Sequence, residues 1–160
     1  MINRYLQSGL QGKYAHYQTD MLFDGLSWER AGEKPEGSPH SVWELLFHMN
    51  YWQEFILAEL QEESPESPQD LSESWPDSPS PSHEKEYTDM VTRFLKGLGR
   101  SMQQASKDSL EEGIGGRKRT PADLLMVLIN HNSYHGGQVV FARRLTGAWP
   151  PPSDRKEEDK

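Results

Sequence analysis

The chain has 160 residues, the usual size of one domain with a single hydrophobic core. It contains no cysteine, which excludes disulfides, a cysteine nucleophile and thiolate metal ligands. Its net charge of −8 disfavours nucleic acid and anionic membranes as partners, and the one basic cluster, Arg117-Lys118-Arg119, is expected to be a solvated loop. The N-terminus lacks an apolar signal core and no run approaches a membrane span, so a cytoplasmic protein is predicted.

A first helix is predicted over residues 2–24. Its apolar residues recur at steps of three and four, which places them on one helix face: Leu6, Leu10, Tyr14, Tyr17 and Met21. His16 lies off that face and is expected to be exposed. Residues 30–40 are rich in glycine and proline and are predicted to form a loop, in which His40 is a minor candidate for function.

The second helix has a clear start signal. Ser41 followed by Glu44 forms the S-x-x-E pattern of a capping box. Its inward stripe is predicted to consist of Val42, Leu45, His48, Trp52, Phe55 and Ile56. His48 is therefore a histidine on a helix face that is otherwise apolar.

Residues 62–82 have no helical period. They contain many prolines, serines and acidic residues, which indicates a long loop around one end of the domain, held by Leu71 and Trp75. The alternative is a disordered acidic linker.

Two further helices complete the chain. The third is predicted over residues 83–107, with His83 exposed at its start, and residues 107–119 read as a polar loop. The fourth begins at Thr120, a favourable N-cap followed by proline, and ends near Leu145. The pair Gly136-Gly137 inside it predicts either a kink or a close packing contact. Residues 150–160 are predicted to be a disordered charged tail.

The fourth helix carries two histidines four residues apart, His131 and His135. This spacing puts both imidazoles on one helix face. That face is otherwise mostly apolar and comprises Leu124, Leu128, His131, His135, Gln138, Ala142 and Leu145. A buried polar group needs a partner, which can be a carboxylate, a carbonyl or a divalent metal.

Four amphipathic helices and no strand pattern predict an all-α protein, a four-helix bundle over residues 1–149. If the second and fourth helices are neighbours, His48 meets His131 and His135. Three imidazoles leave a coordination position open, as in catalytic rather than structural metal sites. Zinc and nickel both suit imidazole ligands. Glu44 could support His48, or act only in the capping box.

The later helix offers other supporting groups. Gln138 could bind a water or ligand at the site, or be an ordinary helix residue. The aromatic residues Tyr51, Trp52 and Tyr134 could line a pocket, or simply belong to the core.

The segments SVWELLFHM and TPADLLMVLINHNSYHGGQ together resemble the DinB/YfiT-like superfamily of metal-dependent four-helix bundles. The resemblance covers roughly residues 2–146, and its specific part is the set His48, His131 and His135 with the trailing Gly-Gln. It implies a homodimer with a divalent metal on those three histidines. Characterised relatives include bacillithiol- and mycothiol-dependent transferases and isomerases, and some members are labelled hydrolases. Members often carry a basic residue after the last histidine, where this chain has Gly136.

These observations lead to a functional hypothesis and two alternatives. The hypothesis is an enzyme in which a metal activates water, or a low-molecular-weight thiol cosubstrate, for hydrolysis or group transfer on a small molecule. The first alternative is a non-catalytic homodimeric bundle with a structural metal or an interaction role. The second is a metal-free bundle with three satisfied histidines.

Overall fold

The structure is a computed structural model that describes residues 1–113 and 119–154. Five α-helices and two short 3-10 helices make up its regular structure, and the described residues contain no β-strand. The helices are α1 (Ile2–Leu10), α2 (Trp28–Gly32), α3 (Val42–Leu60), α4 (Glu84–Gln104) and α5 (Pro121–Leu145). The prediction of an all-α bundle is confirmed.

The first predicted helix is wrong in length. It stops at Leu10, and the following residues turn, with Gly12 and Tyr14 at φ of 71° and 70°. A helix cannot continue through positive φ, and Tyr14 is 87% exposed rather than part of an inward stripe. The chain then forms a 3-10 helix at Thr19–Met21 and the short helix α2.

The predicted helix starts are confirmed at α3 and α5. Ser41 and Glu44 bond reciprocally as a capping box, and Thr120 and Asp123 do the same. The N-cap of α4 is His83, whose exposed ring accepts a hydrogen bond from the backbone N–H of Glu86 at 3.0 Å.

Helix α3 is central, because it packs against both α4 and α5, while α1 packs on α5. Close approaches at glycine explain part of this packing. A Cβ on Gly97 would lie 2.1 Å from Nε2 of Gln53, and one on Gly9 would lie 2.9 Å from Cδ1 of Ile129. Neither helix pair could come as near with larger residues at these positions.

The core consists of two apolar clusters stacked along the bundle. One contains the start of α3 and the end of α5, with members such as Leu45, Met49, Phe94, Val139 and Ala142. The other contains the end of α3 and the start of α5, with members such as Leu57, Leu60, Leu98, Leu125 and Leu128. Buried polar residues occupy the level between them: His48, Asn50, Gln53, Asn132 and His135.

The outer face of α5 is apolar and exposed. Its large side chains are Val127, Tyr134, Phe141 and Leu145, which are 45–67% exposed. Leu145 was predicted to face the core, and this is wrong at 48% exposure, since the helix ends beside it. Of the two glycines in α5, Gly136 makes a close packing contact, because a Cβ there would lie 3.2 Å from Leu22. A Cβ on Gly137 would meet nothing within 4 Å in the part of the chain that the structure describes.

The acidic loop is tied to the bundle at several points. It contains a 3-10 helix at Leu71–Ser74. Ser41 Oγ donates to the carbonyl of Pro79 at 2.6 Å, and Ser80 Oγ donates to the carbonyl of Gly32 at 3.0 Å. Trp75 is an anchor as predicted, but Leu71 is not, because it is 72% exposed.

Two predicted segments are only partly described. Arg117 and Lys118 of the basic cluster lie outside the described residues, while Arg119 Nη1 is 3.9 Å from a carboxylate oxygen of Glu59. In the predicted tail, Ser153 Oγ donates to Asp24 at 2.8 Å, and residues 155–160 lie outside the described part. No helix in residues 1–113 and 119–154 is long and apolar enough to cross a membrane.

Candidate metal centre

Three histidines meet between α3 and α5, at the level where the two apolar clusters adjoin. His48 comes from α3, and His131 and His135 come from successive turns of α5. One ring nitrogen from each lies within 4.8 Å of the other two. The Nε2 atoms of His48 and His131 are 3.2 Å apart. The packing of α3 on α5 therefore brings together the set that the sequence predicted.

Hydrogen bonds orient two of the three rings. Nδ1 of His48 lies 3.2 Å from the carbonyl oxygen of Ser74, and Nδ1 of His135 lies 2.7 Å from Oε1 of Gln138. Both partner atoms can only accept, so each Nδ1 carries the proton. The Nε2 atoms of His48 and His135 are then left with free lone pairs, which is the form in which imidazole binds a metal.

The third ring is held less firmly. His131 Nδ1 is buried and has no hydrogen-bond partner among the described residues. Its Nε2 faces the lone pair of His48 Nε2, so it must either donate a proton or share a cation with it. Two nitrogens bound to one tetrahedral ion at 2.0–2.1 Å would be about 3.3 Å apart. The observed separation of 3.2 Å fits that arrangement.

Burial keeps all three imidazoles neutral. It lowers the pKa of His48 to about 4, with the neighbouring His135 adding to the effect. It lowers the pKa of His131 to about 3, again with a contribution from His135. The pKa of His135 is also lowered by burial, although the hydrogen bond to Gln138 opposes the change. At neutral pH the cluster is thus deprotonated and able to bind a cation.

Trp75 of the acidic loop covers the centre. Its indole stacks on the ring of His48 at a centroid distance of 3.9 Å, and on its other side the ring of His40 stacks at the same distance. Ser74 and Trp75 thus place the loop directly against a candidate ligand. His40 contacts Trp75, and it does not join the cluster.

The supporting residues named from the sequence have different positions. Glu44 Oε2 accepts from the backbone N–H of Ser41 at 2.7 Å and lies 3.5 Å from the Lys34 ammonium. Its observed role is the capping box, and the backbone partner of His48 is Ser74 instead. Gln138 bonds to the ring of His135. Ser74 had no sequence signal, because a loop serine 26 residues from His48 shows no periodicity.

The aromatic candidates border the centre. The rings of Trp52 and His48 are 6.5 Å apart, and Tyr51 contacts Trp52 at 5.4 Å. Tyr134 is 67% exposed and contacts the ring of His135 at 5.0 Å. His16 is exposed as predicted, and its Nε2 lies 2.8 Å from Oγ of Ser133.

The fold and the cluster define a helical bundle with a three-histidine site that could hold a divalent metal. The family model described as "DinB family" matches residues 13–160, and the chain belongs to that family. The chain shows no significant similarity to a curated protein or to a solved structure.

Proposed function

We propose that this protein is a metal-dependent enzyme acting on a small molecule, in which His48, His131 and His135 hold one divalent ion. The observation that carries the proposal is the convergence of one ring nitrogen from each histidine within 4.8 Å. Hydrogen bonds from Nδ1 to Ser74 and Gln138 support it, because they leave two Nε2 lone pairs directed into the cluster.

The donor set favours a catalytic rather than a closed structural site. The cluster contains three imidazoles and no carboxylate among the described residues, so a bound ion would keep at least one position open. Zinc and nickel are the ions we propose, since both bind imidazole well. A divalent ion in such a site lowers the pKa of a bound water or thiol.

The reaction we propose is hydrolysis or transfer of a group to a thiol. A thiol used here must come from a small cosubstrate, because the chain has no cysteine. Trp52 and Tyr134 would border the substrate at the rim of the centre, one from each of the two helices that carry the histidines.

A structural role for the metal is the second candidate, and one observation favours it. Ser74 and Trp75 both contact His48, so an ion on that ring would also hold the acidic loop against the bundle. A purely structural ion would raise the melting temperature without supporting any turnover.

The first experiment measures the metal itself. Elemental analysis of protein purified without a histidine tag should find one divalent ion per chain. Metal-stripped protein should bind zinc or nickel, and His48→Ala, His131→Ala and His135→Ala should each bind far more weakly. His16→Ala and His83→Ala serve as controls that bind like wild type. If His48→Ala binds normally while His131→Ala does not, the three-histidine site is wrong.

The second experiment separates the two candidate functions. The loaded protein is screened for hydrolysis and for conjugation of small electrophiles with bacillithiol, mycothiol and glutathione. Turnover that disappears in His131→Ala supports the enzyme. Metal binding and thermal stabilisation without any turnover across the screen would favour the structural role.

We also propose that the chain forms a homodimer through the outer face of α5. That face exposes Val127, Tyr134 and Phe141. Residues 124–145 contain no acidic residue, in a chain with 25 of them, so two copies can approach there without strong repulsion. Glycine inside a helix is unfavourable by about 1 kcal/mol, and no contact with the described residues requires it at Gly137. Close packing of a second copy's helix at that point would explain why a glycine is present there.

The face is also self-complementary in charge. In an antiparallel pair with its two-fold axis at Tyr134, Val127 lies opposite Phe141 of the second copy. Asp123 at the start of α5 then lies beside Arg144 at the end of the other α5. The same charge pair recurs at the opposite end, as a two-fold interface requires.

A further inference from the structure

A cavity lies between α3 and α4, apart from the histidine cluster. Its volume is about 350 Å³, within the range of small-molecule sites. The wall is mainly apolar and is formed by Phe47, Tyr51, Phe55, Ala58, Pro65 and Met90. Pro65 comes from the acidic loop, so the loop closes one side of the cavity.

One buried polar group in this wall lacks a partner. Asn50 is 3% exposed, and its Nδ2 donates to the carbonyls of Leu46 at 3.2 Å and Met90 at 3.1 Å. Those two acceptors fix the orientation of the amide, because a flipped side chain would turn its oxygen toward both of them. Asn50 Oδ1 is left without a hydrogen-bond partner among the described residues. Because Oδ1 is itself buried, a donor from a ligand in the cavity reaches it only when the side chains around it shift.

Two charged residues line the cavity, Glu54 and Arg93, and the positive one can pair with a ligand. Glu54 is in an ion pair with Arg100. Arg93 also lines the cavity, is exposed, and pairs with no carboxylate in the described part of the chain. Arg93 follows Met90 by about one helical turn, and both residues line the cavity.

We propose that this cavity binds a small organic anion with an aromatic or branched aliphatic body and one N–H or O–H donor. The body contacts Phe47 and Tyr51, the donor reaches Asn50 Oδ1 once the side chains around it have shifted, and the anionic group pairs with Arg93. None of the three histidines lines the cavity, and Trp52 lies between it and His48. The proposal therefore does not depend on the metal.

The probe is 8-anilinonaphthalene-1-sulfonate, which has an aromatic body, one N–H and one anionic group. Its fluorescence should rise on binding and saturate at one probe per folded chain. Replacing the exposed Arg93 by glutamine should weaken binding about fivefold, which is the effect of one ion pair. Lys96→Gln removes a matched exposed cation from the same helix and should leave binding unchanged.

Three further arms test the rest of the site. Ala58→Trp fills the cavity and should abolish binding, with circular dichroism to verify the fold. The neutral analogue N-phenyl-1-naphthylamine should bind wild type and Arg93→Gln equally. His131→Ala should bind the sulfonate as wild type does. Equal weakening by Lys96→Gln and Arg93→Gln, or unchanged binding in folded Ala58→Trp, would overturn the proposal.

Discussion

The residues that accept hydrogen bonds from Nδ1 orient two of the three candidate metal ligands. Ser74 and Gln138 each accept a hydrogen bond from Nδ1–H of one ring, which selects the tautomer with a free Nε2. Neither residue would itself touch the ion. Their removal should therefore weaken metal binding without abolishing it.

Gln138 is a better position than Ser74 for testing this effect, because it is on the same helix as His135, whose ring it orients. We expect Gln138→Leu to lower zinc affinity about 10- to 100-fold, the usual effect of losing such a partner. Competition titration against a chromogenic chelator measures it. Gln103→Leu, on an exposed position of α4, is the control. Equal affinity in Gln138→Leu and wild type would mean that the hydrogen bond does not orient His135.

The lowered histidine pKa values predict a pH-dependent stability. In the unfolded chain each imidazole takes up a proton below about pH 6.5. In the folded protein His48 and His131 resist protonation until about pH 4 and about pH 3. Between these limits the unfolded state binds more protons, so the metal-free protein should lose stability as pH falls from 7 to 5.

Urea unfolding of metal-stripped protein at pH 7 and pH 5 measures that loss. His131→Leu removes one buried imidazole and should show a smaller decrease in the free energy of unfolding over the same pH interval. Gln103→Leu, at an exposed position of α4, removes no imidazole and provides the comparison. If the free energy of unfolding decreases as much in His131→Leu as in wild type, the lowered pKa of His131 is not the cause of the pH dependence.

At the scale of the helices, sequence reasoning succeeded where one local signal decides the structure. The capping-box pattern at Ser41 and the N-cap with following proline at Thr120 predicted two helix starts, and the spacing of His131 and His135 predicted their common face. The first helix failed for the opposite reason. Its apolar period continues past Leu10, but the backbone at Gly12 takes a positive φ and turns away.

The residues of the candidate site show the same contrast between local and tertiary signals. The three histidines were predictable, since each interrupts an apolar stripe on a helix. Ser74 and Trp75 reach His48 from a proline-rich loop, and such a contact depends on the tertiary path of the chain. Trp75 could be predicted as an anchor but not as a cover for an imidazole.

The acidic loop should be the main site of proteolysis in the folded protein, because Glu62, Glu63 and Glu66 are exposed there. A glutamate-specific protease is expected to cut at these positions first. Bound metal should slow cutting at Glu73, next to Ser74, more than at Glu62. First cuts inside residues 41–60 would show that the boundaries of α3 are wrong.

For the whole molecule, the proposed dimer is tested by light scattering at micromolar concentration, which should give twice the chain mass. Phe141→Lys places a charge on the α5 face, opposite Val127 of the second copy, and should yield monomers. Leu95→Lys changes an exposed apolar residue on α4 and should leave the mass unchanged. A monomer mass for wild type would exclude the dimer.

The separation of the histidines along the chain has a topological consequence. His48 and His131 are 83 residues apart, so an ion bound to both would be a cross-link that closes about half of the chain into one loop. In a disulfide, a loop of that length corresponds to about 4 to 5 kcal/mol of lost chain entropy in the unfolded state. A chain without cysteine would thus gain a reversible cross-link that needs no oxidant and opens on chelation or acidification.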